Sequence, residues 1–72
     1  MEELQIKEIL IRDNTAFQKL NRQHQECDRQ LEVLKSSNLK TDLEWIEEHK
    51  LKKQKLKLKD AMQEYILEYR NR

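Results

Sequence analysis

The chain contains no glycine and no proline. Their joint absence removes the residues that punctuate hairpins and tight turns, so strand-rich folds lose their usual signals and helix is almost unopposed. It also excludes every glycine-rich phosphate loop. A single cysteine excludes a disulfide within the chain. Long apolar runs are missing too. The longest aliphatic stretch is Ile9-Leu10-Ile11, far too short to span a bilayer. Nor does charge of one sign dominate: charged residues make up 40% of the chain, yet the formal net charge is only +1. That balance argues against an electrostatic footprint for nucleic acid or anionic lipid spread over the whole protein.

What remains is enough chain for one domain at most, 72 residues. A domain this small buries a modest share of its surface and relies on a metal, very regular helix packing or a partner chain. Its polarity makes disorder the competing class, and regular apolar spacing is the argument against it. The opening MEELQIKEILIRD is acidic and lacks an apolar core, so it does not read as a signal peptide. With an unpaired thiol as well, the expected compartment is the cytoplasm.

Apolar and near-apolar positions recur at Phe17, Leu20, His24, Cys27, Leu31 and Leu34. These alternating steps of three and four form a heptad seam in which His24 is the polar member. Extended backward, the phase meets Leu10 and Ile6 but lands on Asp13. The first helix then either runs on from about Glu3 or breaks near 13–15; the break is the favoured reading, with Asn14 or Thr15 as N-cap and Thr15-x-x-Gln18 as a capping box. Ser36 to Lys40 is the only cluster of small polar residues, and Thr41-x-x-Glu44 reads as a second capping box. The expectation is an all-α single domain over 1–72. A first helix covers about 3–36, a loop about 37–41, and a second helix about 42–70, joined as an antiparallel, coiled-coil-like two-helix hairpin.

If the chain folds back near Asn38-Leu39, Leu34 faces Leu43, Leu31 faces Ile46 and Cys27 faces Leu51. Leu20 then faces Leu58, and Phe17 faces Met62. Beside this seam Asp28 falls opposite Lys50, and Lys35 opposite Glu44. The expected core is Leu20, Cys27, Leu31, Leu34, Leu51, Leu58 and Met62. A second line on the later helix, Trp45, Leu56 and Leu67, points to another side. Either the segment with Leu4, Ile9 and Ile11 covers it, or a second copy does. The second choice, a homodimeric helical bundle with Trp45, Leu56, Leu67 and Ile9 at its interface, also answers the size problem.

The run Asn14 to Leu31, NTAFQKLNRQHQECDRQL, resembles the motif N-P-x-F-x-x-L-x-x-x-H-x-x-L-D-x-x-I of the small bacterial YdcH-like proteins. LKKQKLKLKDAM, Leu51 to Met62, is similar to that family's second motif of lysines and leucines ending in K-D. The two matches span most of 14–69. Thr15 stands in place of the family's proline, which removes the residue that would enforce a sharp break, and Cys27 in place of its leucine. The resemblance implies a self-associating helical hairpin of unknown function, with no catalytic residues to carry over.

His24, Cys27 and His49 are the only imidazole or thiolate ligands. A metal- or redox-responsive protein built on them is one alternative, and a zinc site would need a fourth ligand such as Asp28 or a second chain. Against it, Cys27 reads as a small core residue, and His24 with Asp28, four positions on, as a polar seam that fixes register. A His24–Asp28 acid/base pair would need a pocket that a narrow hairpin does not offer. No catalytic residue, cofactor or resident metal is therefore expected. Histidine on a seam also raises the hypothesis of a pH-sensitive dimer.

KLKKQKLKLKD, Lys50 to Asp60, is the last feature. Lys50, Lys53 and Lys57 fall on one flank of the helix, and Lys52, Lys55 and Lys59 on the other, bracketing Leu51 and Leu58. Lysine stems commonly border an apolar seam in this way. The run has neither the arginines of a base reader nor the interleaved aromatics of a single-strand binder. Nucleic-acid association through it is the other alternative. The favoured reading is a non-catalytic interaction module.

Overall fold

The computed structural model describes residues 2–36 and 40–72, and the expected chain reversal at Asn38-Leu39 lies outside them. The described residues are all-helical and contain no strand. They form α1 (Glu3–Asp13), α2 (Thr15–Lys35) and α3 (Asp42–Arg70). No described residue has a positive φ, so no position demands a glycine.

Side chains set the helix boundaries. The Glu2 amide donates to Gln5 Oε1 at 3.2 Å where α1 begins. Asn14 has extended backbone (φ −117°, ψ 109°) and its Oδ1 accepts from the Phe17 amide at 3.0 Å, so one residue ends α1 and caps α2. Gln18 does not close a capping box. Its amide instead donates across the break to the Arg12 carbonyl at 3.3 Å. Ser36 Oγ donates back to the Val33 carbonyl at the end of α2. Thr41 Oγ1 accepts from the Glu44 amide at 3.2 Å and opens α3.

The three helices are unequal partners. Phe17 meets Tyr65 edge-on, with ring centroids 6.3 Å apart. Asp28 pairs with Lys55, and Leu31 packs with Leu51, so α3 runs back along α2. The break at Asn14 turns α1 back as well. Ile6 and Leu10 join Phe17, Met62 and Ile66 in one buried cluster. Ile6 and Phe17 are fully buried, worth about 1.5–3 kcal/mol for each side chain. A second cluster, Cys27, Leu31 and Leu51 with Leu34 and Leu58 against it, lies where only α2 and α3 are present. The molecule is thus three helices thick at one end and two at the other. It is 48 Å long, close to the roughly 43 Å expected of a 29-residue helix such as α3.

The break favoured near 13–15 falls at Asn14, while other expectations change. The N-terminal part of the first expected helix folds back as a third helix. The register of α3 on α2 is displaced by about one turn: Asp28 meets Lys55 rather than Lys50, and Phe17 meets Tyr65. Consequently Leu43 and Ile46, expected opposite Leu34 and Leu31, are 77% and 52% exposed. The physical reason lies in Glu48 and Lys55. Both occupy the steps of three and four that join Glu44, Leu51, Leu58 and Met62, and both turn inward. The seam is set by this mixed polar and apolar phase, and the start of α3 runs past the end of α2.

Candidate functional site

Two polar clusters interrupt the apolar packing. The first is Glu48, the only buried charged residue among those described. Its Oε2 accepts from Lys40 Nζ at 2.7 Å, and its Oε1 lies 3.3 Å from Lys52 Nζ. The Lys40 ammonium also sits 4.6 Å from the Trp45 ring centroid, a cation–π arrangement. The Glu48 carboxyl is held below its ordinary value, chiefly by the hydrogen bond from Lys40 and against the cost of burial. Lys40 stands two residues before α3, so this ion pair ties Lys40 itself to the second turn of the helix. Reading the apolar residues alone missed it. The signals were Glu48 in phase with Leu51 and the Glu48–Lys52 spacing of four.

The second polar cluster lies alongside the apolar cluster of Cys27, Leu31 and Leu51. Lys55, half-buried, reaches Asp28 across the helix pair, and this hydrogen bond is the main cause holding the Asp28 carboxyl below its usual range. His24 is half-buried beside it. Its imidazole is pushed below 6.5, first by burial and then by Lys55 and Lys7, with Asp28 opposing. His24 and Asp28 thus share one polar layer as members of the seam. Among the described residues no hydrogen bond joins the two; Asp28 is bound by Lys55 instead.

The remaining expected site residues are dispersed. Trp45, Leu56 and Leu67 are 58%, 60% and 46% exposed, and Ile9 is half-buried. Helix α1 packs through Ile6 and Leu10 and leaves Trp45, Leu56 and Leu67 uncovered. Lys50, Lys52, Lys53, Lys57 and Lys59 are exposed, whereas Lys55 turns into the seam and leaves the flank expected of it. Cys27 is buried and His49 exposed. Among the described residues no three or more histidines, cysteines or carboxylates are grouped as metal ligands, so His24, Cys27 and His49 do not converge. No described helix is long and apolar enough to cross a membrane.

The two-helix end also carries an open groove of about 460 Å³ lined by Arg29, Gln30, Val33, Leu34, Glu47 and Leu51. Val33, Leu43, Trp45, Ile46 and Leu56 are all exposed along this half of the molecule. The arrangement offers apolar surface for packing and charged residues for register. No family model matches the chain, and comparison with curated proteins and with solved structures likewise finds no match.

Proposed function

We propose that the protein is a non-catalytic helical interaction module that acts through self-association and protein–protein contacts, with a homodimer as its working form. The supporting observation is the unequal thickness of the fold. Helix α1 covers one half of the α2–α3 pair, while the other half leaves Val33, Leu43, Trp45, Ile46 and Leu56 exposed. A second copy placed there supplies the missing layer, completes a bundle and covers the indole. Lys35 and Lys52, which line the groove that includes Leu56, can set its orientation, as charges beside an apolar seam do. The coiled-coil-like α2–α3 hairpin and YdcH-like membership belong to the same proposal, as does a cytoplasmic setting, which a free buried thiol suits.

Sedimentation velocity across concentration tests this reading. A mass that rises to that of a dimer, and a weaker equilibrium in Trp45→Ala, is the expected result. A monomer throughout the high-micromolar range overturns it.

A further inference from the structure

Lys7 of α1, His24 of α2, and Lys55 and Lys59 of α3 line one cleft of about 270 Å³. Met62 and Ile66 of the three-helix core give it an apolar wall, and Glu3 is the one carboxylate among its lining residues. Positive groups therefore converge from all three helices. Lys55 is paired with Asp28, but among the described residues Lys7 and Lys59 make no ion pair. Ammonium groups gathered without counter-charges repel one another, and a bound anion removes that cost.

We propose that this cleft binds a compact multivalent phosphate, a di- or triphosphate group held between Lys7, Lys59 and His24. Its volume is at the small end for ligand sites, which suits a phosphate group rather than a large organic ligand. The two unpaired ammoniums of Lys7 and Lys59, with the His24 imidazole between them and the Lys55 ammonium shared with Asp28, suit a multivalent anion, and lysine serves phosphate well as a point charge. A nucleic-acid backbone would call for an extended track, whereas this cleft is bounded on three sides by helices. The lysines that prolong the run away from it, Lys50 and Lys53, are not among its lining residues. The site does not depend on self-association.

Protonation of His24 is linked to occupancy. Within the cleft, burial, Lys55, Lys7 and Lys59 oppose its charge, while Asp28 favours it, and Glu3 across the cleft is a further negative group. A bound polyphosphate reverses the balance. The imidazole then titrates at higher pH in the complex, and by reciprocity the anion binds more tightly as pH falls from 7.5 to 6.

The experiment is an NMR titration of the full chain with inorganic pyrophosphate, tripolyphosphate and ATP at matched ionic strength, following the His24 ring protons. Saturable shifts and an upward move of the His24 titration are expected. Lys7→Gln and Lys59→Gln should each weaken binding roughly tenfold. Glu3→Gln should tighten it, and Lys50→Gln/Lys53→Gln should leave it unchanged. Tighter binding of ATP than of tripolyphosphate would identify a nucleotide as the natural source; equal binding would identify the phosphate chain alone. Shifts no greater than those given by chloride overturn the proposal. So does equal weakening by the Lys50/Lys53 variant, or duplex DNA binding that pyrophosphate does not compete.

Discussion

The Asp28 carboxylate on α2 accepts a hydrogen bond from the Lys55 ammonium on α3, and the pair flanks the thinner of two apolar clusters of different construction. In the thicker cluster Ile6, Leu10, Phe17, Met62 and Ile66 are enclosed by three helices. In the thinner one Cys27, Leu31 and Leu51 are sandwiched between two. A polar pair at this position fixes register, because sliding α3 by one turn would separate it and bring the flanking apolar residues out of phase. Exposed pairs contribute little to stability itself, so its value lies in excluding alternative alignments.

The two clusters should respond differently to truncation. Phe17→Ala removes a fully buried ring that touches Tyr65 and should cost about 3–5 kcal/mol. A chain of this size has roughly 4–11 kcal/mol in all. Leu31→Ala, at the thinner end where neighbours can relax inward, should cost nearer 2 kcal/mol. Urea melts of both variants measure the difference. The loss of Phe17 should also free α1, making the Arg12–Asp13 bond at the break the first site of tryptic cleavage.

The polar layer makes stability depend on pH in the physiological range. His24 titrates below 6.5 in the folded chain, so the unfolded state takes up its proton first as pH falls. The stabilisation from keeping it neutral is fully present above pH 6.5 and is lost as pH drops through the lower folded value. Asp28 and Glu48 have carboxyls held below 3.8 and 4.5. Their contribution persists above those values and disappears only in more acidic solution. Thermal melts from pH 7.5 to 5 should therefore fall for the wild type and flatten in His24→Gln, while both proteins weaken together below pH 4.

Helical class and much of the core could be read from residue order, because steps of three and four pick out Phe17, Cys27, Leu31, Leu51 and Met62 without reference to any partner. The register could not be read from apolar letters alone. Glu48 and Lys55 occupy seam positions that a hydrophobic pattern passes over, and each is accommodated only because Lys40 or Asp28 comes from another segment to meet it. The fold-back of α1 was equally hidden. Ile6 and Leu10 have the same phase in a continuous helix as in a broken one. The direction after Asn14 rests on a single extended residue held by packing. For the candidate site, exposure of Trp45 and Leu56 was visible as a second stripe. The cleft that gathers Lys7 with Lys59 depends entirely on the fold-back.

The cap at Asn14 carries its own prediction. Its Oδ1 satisfies the Phe17 amide and its backbone breaks the helix, so Asn14→Ala should cost about 1 kcal/mol. Alanine also favours helix at that position. If the break is held by the cap rather than by the core, the variant should gain helical circular dichroism while losing stability. A stability loss without a gain in helicity would assign the fold-back to the packing of Ile6 and Leu10.

Glu48 and Lys40 should show strong non-additivity. Replacing Glu48 by Gln leaves the Lys40 ammonium, 11% exposed in its side chain, with the Trp45 ring and no counter-charge. Replacing Lys40 by Met strands the buried carboxylate with Lys52 alone. Each single change should lower the urea midpoint. The paired change Lys40→Met/Glu48→Leu should recover most of the loss, since a buried ion pair can often be exchanged for apolar residues of similar size. A midpoint for the pair equal to the sum of the two single effects would show that the groups act independently.

Trp45 reports directly on whether a second copy covers the two-helix end. In the single chain its side chain is largely open to water on the face away from Lys40, so dilute protein should emit at the long wavelength of a solvated indole. If copies pair through the half of the molecule that α1 leaves uncovered, emission should shift to shorter wavelength as concentration rises, in step with the sedimentation coefficient. Leu56→Lys places a charge on the same uncovered half and should abolish both changes. Ile11→Lys alters an exposed residue of α1 beside the break, at the opposite end of the molecule, and should leave both intact. An emission maximum that stays constant while mass increases would locate the contact elsewhere on the surface.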